Sequence, residues 1–194
     1  MSFEDLLGEE NPIVNEPPFQ SEKPERKSPD NESVESVVSY EQVQKALLSF
    51  EVAIGRIHAL LVRRFENRLN RMLNEDEVSS LSRVQRSLRG NAEKKDGFDR
   101  QNLFQELEKL HNIFSEFGRK RGTGVLSEDT ANLTDLIRVF EAIEPRTETL
   151  RMSLHAISDQ KDEMEQLNKI LIALRTQARN IKIYLYNRRR LLER

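Results

Sequence analysis

The chain has 194 residues, 33% of them charged and 6% aromatic, with no tryptophan and no cysteine. The lack of cysteine excludes disulfides, thiolate metal sites and cysteine nucleophiles together, and suits a reducing compartment. The net charge of −2 conceals an asymmetry: residues 1–36 hold ten acids against Lys23, Arg26 and Lys27, so −7, which leaves the rest of the chain at +5.

The N-terminal segment holds five of the six prolines, Pro12, Pro17, Pro18, Pro24 and Pro29. Proline lacks a backbone donor and disfavours helix before it, and few apolar residues surround it here. Residues 1–36 are therefore expected to be a disordered acidic tail. Within it "FEDLL" sets Phe3 and Leu6 three apart around two acids. This resembles the aromatic-x-x-aliphatic peptides that autophagy receptors present to ubiquitin-like partners, and the acidic-hydrophobic peptides of vesicle-coat adaptors. Either resemblance implies a short docking motif. Ser28-Pro29 is a candidate proline-directed phosphosite. The opening "MSFEDLLGEENPIV" is acidic where a signal peptide would be basic, and no stretch approaches the roughly 20 apolar residues of a membrane span. A soluble intracellular protein is expected, in the cytoplasm or the nucleus.

From Tyr40 the pattern changes. Tyr40, Val43, Leu47, Phe50, Ile54, Ile57 and Leu61 step by threes and fours, which aligns them on one helical face. The stripe continues through Phe65, Leu69, Met72, Leu81, Val84 and Leu88. One helix over about 38–89 is expected, about 75 Å long at 1.5 Å per residue, with "NEDEVSS" its weakest point. A second helix, about 99–118, opens at the capping residue Asp99 and buries Leu103, Leu107, Leu110, Phe114 and Phe117 before the glycines of "GRKRGTG". A third, about 127–144, starts at Ser127 and buries Leu133, Leu136, Ile137, Phe140 and Ile143. Pro145 then kinks that helix or begins the next.

The last helix is expected over about 146–194. Leu150, Leu154, Ile157, Met164, Leu167, Leu171, Leu174, Ala178, Ile181, Leu185 and Leu192 trace its seam. The register slips near Lys161, where two three-residue steps follow each other, a change that overwinds a coiled coil without ending it. No period-two run reads as a strand. The fold class is all-α: an elongated antiparallel helical bundle or coiled coil behind an acidic tail.

No chemistry-bearing constellation emerges. His58, His111 and His155 lie singly on different helices, without the close spacing of a helix-borne metal pair. Phosphate-cradling glycine motifs and a nucleophile elbow are missing, and "GTG" at 122–124 reads as a turn. An enzyme is not expected, nor a cofactor or metal. The candidate residues are those of assembly: a partner-facing seam of Leu47, Phe50, Ile54, Ile57, Leu61, Leu167, Leu171, Leu174, Ile181 and Leu185. Beside the C-terminal part of that seam runs a basic ridge of Arg175, Arg179, Lys182 and Arg189.

The ridge reads first as the wet flank of a coiled coil, its arginine stems covering apolar edges. Basic residues beside aliphatic ones also suit an anionic membrane surface. Nucleic acid fits less well, because the run is short and only Tyr184 and Tyr186 could stack on bases. The stretch "LIALRTQARNIKIYLYNRRRLLER" is similar to the end of the second BAR helix in sorting nexins, where Ile-Lys and paired Arg-Leu groups recur. That resemblance implies membrane-curvature binding in vesicle traffic. The leading expectation is a non-catalytic scaffold or adaptor subunit that assembles with itself or with other helical chains. BAR-like membrane binding and a chromatin- or nucleic-acid-associated subunit are the alternatives.

Overall fold

A computed structural model of the protein describes residues 30–66, 73–120, 130–157 and 161–194. Phe3, Leu6, Ser28-Pro29, Leu69, Met72, Ser127 and the "GTG" turn lie outside the described residues, as does the side chain of Phe65. Five helices follow one another: α1 (Asp30–Glu66), α2 (Glu75–Glu93), α3 (Arg100–Lys120), α4 (Thr130–Ala156) and α5 (Lys161–Leu192). The described residues contain no strand, and the fold is an all-α bundle. Helix α1 starts inside the stretch read as disordered, at Asp30. No proline follows Pro29 until Pro145, so nothing covalent interrupts a helix there.

The single helix expected over 38–89 is two. After Glu66 the chain reverses, and α2 runs antiparallel to α1: Glu51 meets Gln85 and Arg89, while Tyr40 and Gln44 donate to the carbonyl of Lys94. The start of α2 is locally encoded. Asn74 accepts from the Glu77 amide at 2.8 Å, and the Glu77 carboxylate accepts from the Asn74 amide at 2.8 Å. This reciprocal cap satisfies two donors that a helix start leaves open. One apparently continuous stripe is thus two stripes folded onto each other. Leu47, Phe50 and Ile54 are buried on α1, and Leu81, Val84 and Leu88 on α2.

The turn from α2 into α3 is a polar knot. Buried Asn91 donates to Asn102 Oδ1 at 2.9 Å and accepts from the Asp99 amide at 3.1 Å, and Asp99 caps α3 through the Asn102 amide at 2.9 Å. Gly97 holds φ +105°, a left-handed backbone that glycine adopts without steric cost. Tyr40 stacks on Phe98 with ring centroids 6.4 Å apart, so the turn is also fastened to α1.

The boundary expected at Pro145 lies elsewhere. Helix α4 runs through Pro145 and ends at Ala156. Proline deprives the carbonyl four residues back of its donor. Pro145 sits on the exposed side of α4, where water can serve the Glu141 carbonyl instead. The chain breaks instead where the register slips near Lys161. The Ile157 amide bonds back to Leu154 O at 3.3 Å, a tightened last turn, and α5 starts at Lys161. A slip within one helix and a fold-back between two leave the same spacing in a sequence.

Helix α4 is antiparallel to both neighbours: Arg63 pairs with Asp135 and Arg146 with Ser49, while Arg151 reaches Asn168 and Glu144 reaches Lys182. Pairings run α1–α2, α2–α3, α3–α5, α5–α4 and α4–α1, so the helices close a ring around one core. Phe140 of α4 touches Phe114 and Phe117 of α3 across it, at 5.5 and 5.6 Å between centroids. This closure corrects the assignment of the seam. Leu47, Phe50, Ile54, Ile57, Leu61, Leu167, Leu171, Leu174, Ile181 and Leu185 are all 2% exposed or less within this one chain. The helices meant to be supplied by a partner are the chain's own.

Candidate interaction surface

With the seams closed, three of the six exposed large hydrophobic side chains among the described residues, Ile172, Ile183 and Leu191, lie on α5. Successive helical residues turn by about 100°, so the side opposite Leu171, Leu174, Ala178, Ile181 and Leu185 carries Ile172, Thr176, Arg179, Ile183, Asn187, Arg190 and Arg194. Ile172 and Ile183 stand eleven residues apart, three turns of helix, and are 49% and 48% exposed. Leu191 at the edge of this strip is 61% exposed. Single exposed aliphatics are ordinary; here three are spaced along one helix with arginines between them.

The basic ridge does not act as one surface. Arg175 lies 3.0 Å from Glu148 and 3.8 Å from Glu144, and Lys182 lies 3.2 Å from Glu144. Arg189 sits 5.5 Å over the Tyr186 ring and 3.3 Å from Glu193, while the Tyr186 hydroxyl donates to Glu141. Arg175 and Lys182 therefore lace α5 to α4, with Tyr186 beside them. Arg179 points outward, and it has no ion pair among the described residues, nor have Arg190 and Arg194. Sequence spacing placed all four ridge residues on one flank; the packing of α4 against that flank separates Arg179 from the rest.

The lacing has an electrostatic signature. A hydrogen bond from Arg151, reinforced by the charge of Arg175, holds the Glu148 carboxyl below its ordinary range, and Glu148 in turn raises Arg151. The hydrogen bond to Glu141 raises the Tyr186 phenol. These groups face solvent, where such pairs stabilise modestly and salt weakens them.

Other sites are less developed. Between the end of α4 and the start of α5 lies an open groove of about 180 Å³, floored by Leu154, Met164, Leu167 and Leu171 and rimmed by Arg151, His155, Glu165 and Asn168. Its polar groups pair locally, Arg151 with Glu148 and Glu165 with Lys169. His58, His111 and His155 stay apart on α1, α3 and α4, and the described residues hold no cluster of three metal-ligating side chains. No described helix is long and apolar enough to cross a membrane. Sequence reasoning passed over Glu51, a buried carboxylate that accepts from Gln85 at 2.7 Å and Arg89 at 2.9 Å. Its signal was available: an acid four residues after Leu47 and three before Ile54, on the edge of the buried stripe.

No family model, curated protein or solved structure matches the chain. The outward side of α5 thus presents exposed aliphatic side chains, Ile172, Ile183 and Leu191, with guanidinium groups between them.

Proposed function

We propose that this chain is a non-catalytic helical interaction module, a scaffold or adaptor subunit that binds an acidic, amphipathic partner segment through the outward face of α5. One observation carries the reading: Ile172, Ile183 and Leu191 are each about half exposed or more, and alternate with Arg179, Arg190 and Arg194, whose charges are unmatched among the described residues. Desolvating three aliphatic side chains is favourable at about 25 cal/mol per Å², and guanidinium forks take carboxylates in defined geometry. The test is a photo-crosslinking amino acid placed at Thr176 or Asn187 of the full chain in cells, with exposed Arg86 on α2 as control. Defined adducts at the two α5 positions, lost in Ile183→Glu, support the reading. Equal labelling at Arg86, or no adduct to another protein at α5 whether or not Glu4, Asp5, Glu9 and Glu10 are replaced by Lys, refutes it.

The same strip supports a second reading. Arginines beside aliphatics on one helical side also suit an anionic lipid surface, where each basic residue contributes about 1 kcal/mol. Co-sedimentation of the full chain with phosphatidylserine vesicles at low and high salt separates the two. Salt-sensitive binding that requires Arg179 and Arg190 favours lipid; its absence at low salt leaves the protein partner.

A further inference from the structure

The α5 strip has a rhythm, and the chain contains a segment that matches it. Along α5 the outward order is Ile172, Arg179, Ile183, Arg190: aliphatic, cation, aliphatic, cation. Along the N-terminal segment the order is Phe3, Glu4-Asp5, Leu6-Leu7, Glu9-Glu10: apolar, anion, apolar, anion. The lengths agree too. Arg179 and Arg190 are eleven helical residues apart, about 16 Å. The two acid pairs are five residues apart, about 16 Å in an extended chain. Residues 1–22 contain six acids and no base.

We propose that residues 3–10 dock in cis along the outward face of α5, with Glu4-Asp5 against Arg179 and Glu9-Glu10 against Arg190. Phe3 and Leu6-Leu7 then cover Ile172 and Ile183. The tether reaches. Asp30 lies roughly 30 Å along α1 from Ser49, which meets Arg146 at the level of the Arg175–Glu144–Lys182 contacts. Helix α4 stands between α1 and α5, so the lateral step is about two interhelical spacings, roughly 20 Å. Arg190 lies a further 16 Å or so along α5, so the free tether, the 20 residues from Glu10 to Asp30, must cover roughly 50 Å and spans up to about 70 Å. A tethered segment acts at millimolar effective concentration, so weak contacts suffice. The segment thereby shields the face that the proposed function assigns to an external partner, and an acidic competitor would have to displace it. This inference rests on that assignment.

The absence of native cysteine makes the test clean. The 194-residue chain with Ser2→Cys and Lys169→Cys takes two spin labels, and dipolar spectroscopy reads the distance between them. A narrow short-distance population is expected at low salt. It should be lost on Arg179→Glu with Arg190→Glu, and return when Glu4, Asp5, Glu9 and Glu10 are replaced by Lys in the same chain. Circular dichroism checks that these surface changes leave the fold intact. An excess of unlabelled protein should not alter the population. Absence of the population, its survival through the arginine reversals, failure of the charge swap to restore it, or its dilution by unlabelled chain would each overturn docking in cis. Crosslinking at Thr176 discriminates the failures: adducts that persist without the short distance leave the α5 reading standing. No adducts, even with the four acids replaced, remove the α5 reading as well.

Discussion

Gly55 gives Gln85 its place. A β-carbon at position 55 would lie 2.4 Å from Gln85 Nε2, the atom that donates to the buried carboxylate of Glu51 one turn earlier on α1. A glycine inside a helix costs about 1 kcal/mol against alanine, so Gly55→Ala would ordinarily stabilise. Here it should destabilise. Displacing Gln85 removes a hydrogen bond to a buried charge, a loss of about 1–3 kcal/mol. Urea unfolding of Gly55→Ala, Gln85→Ala and the pair should show that the second change adds little to the first.

Leu171 and Leu174 line the closed core, and their conversion to Glu should unfold the bundle, not merely detach a partner. Each change buries a charge without a counter-ion, at several kcal/mol. Thermal unfolding with sedimentation checks this. A folded double variant that has lost only self-association would restore the partner-facing seam.

Replacing Pro145 by alanine should stabilise α4 by about 1–3 kcal/mol. Proline is disfavoured by about 3 kcal/mol in a helix interior, offset in part by the greater freedom alanine gives the unfolded chain. Pro145 is exposed, so no core contact is lost. An increased urea midpoint at unchanged slope is the expected result.

Burial lowers the pKa of half-buried His58, which favours its neutral form in the folded state. The sign follows from linkage. Below about pH 6.5 the unfolded chain takes up a proton that the folded chain resists, so this contribution is present above that pH and lost as pH falls through the folded pKa. Stability curves from pH 7.5 to 5 should slope less in His58→Gln.

Much of the fold was legible in the spacing of apolar residues. Leu133, Leu136, Ile137, Phe140 and Ile143, read as one buried face, are buried on α4. Periodicity reports that a face is covered and is silent about what covers it, which is why Leu47 and Leu174 were assigned to a partner. It is equally silent about direction: the slip near Lys161 gave no sign that the chain turns back there. Pro145 misled because its cost depends on exposure, a tertiary property. Glu51, Gln85 and Arg89 were unreadable as a set, since 34 and 38 residues separate the carboxylate from its donors. Of the candidate surface, the arginines were visible, but sorting Arg179 from Arg175 and Lys182 needed the position of α4.

The alternation of direction through α1, α4 and α5 places Asp30 and Leu192 at opposite extremities, roughly 45 Å apart along the axis. Tension applied between those two points would slide α1, α4 and α5 lengthwise past one another, so side-chain contacts along whole interfaces would have to fail together. Loaded along that line, the three helices would give way together and not one after another.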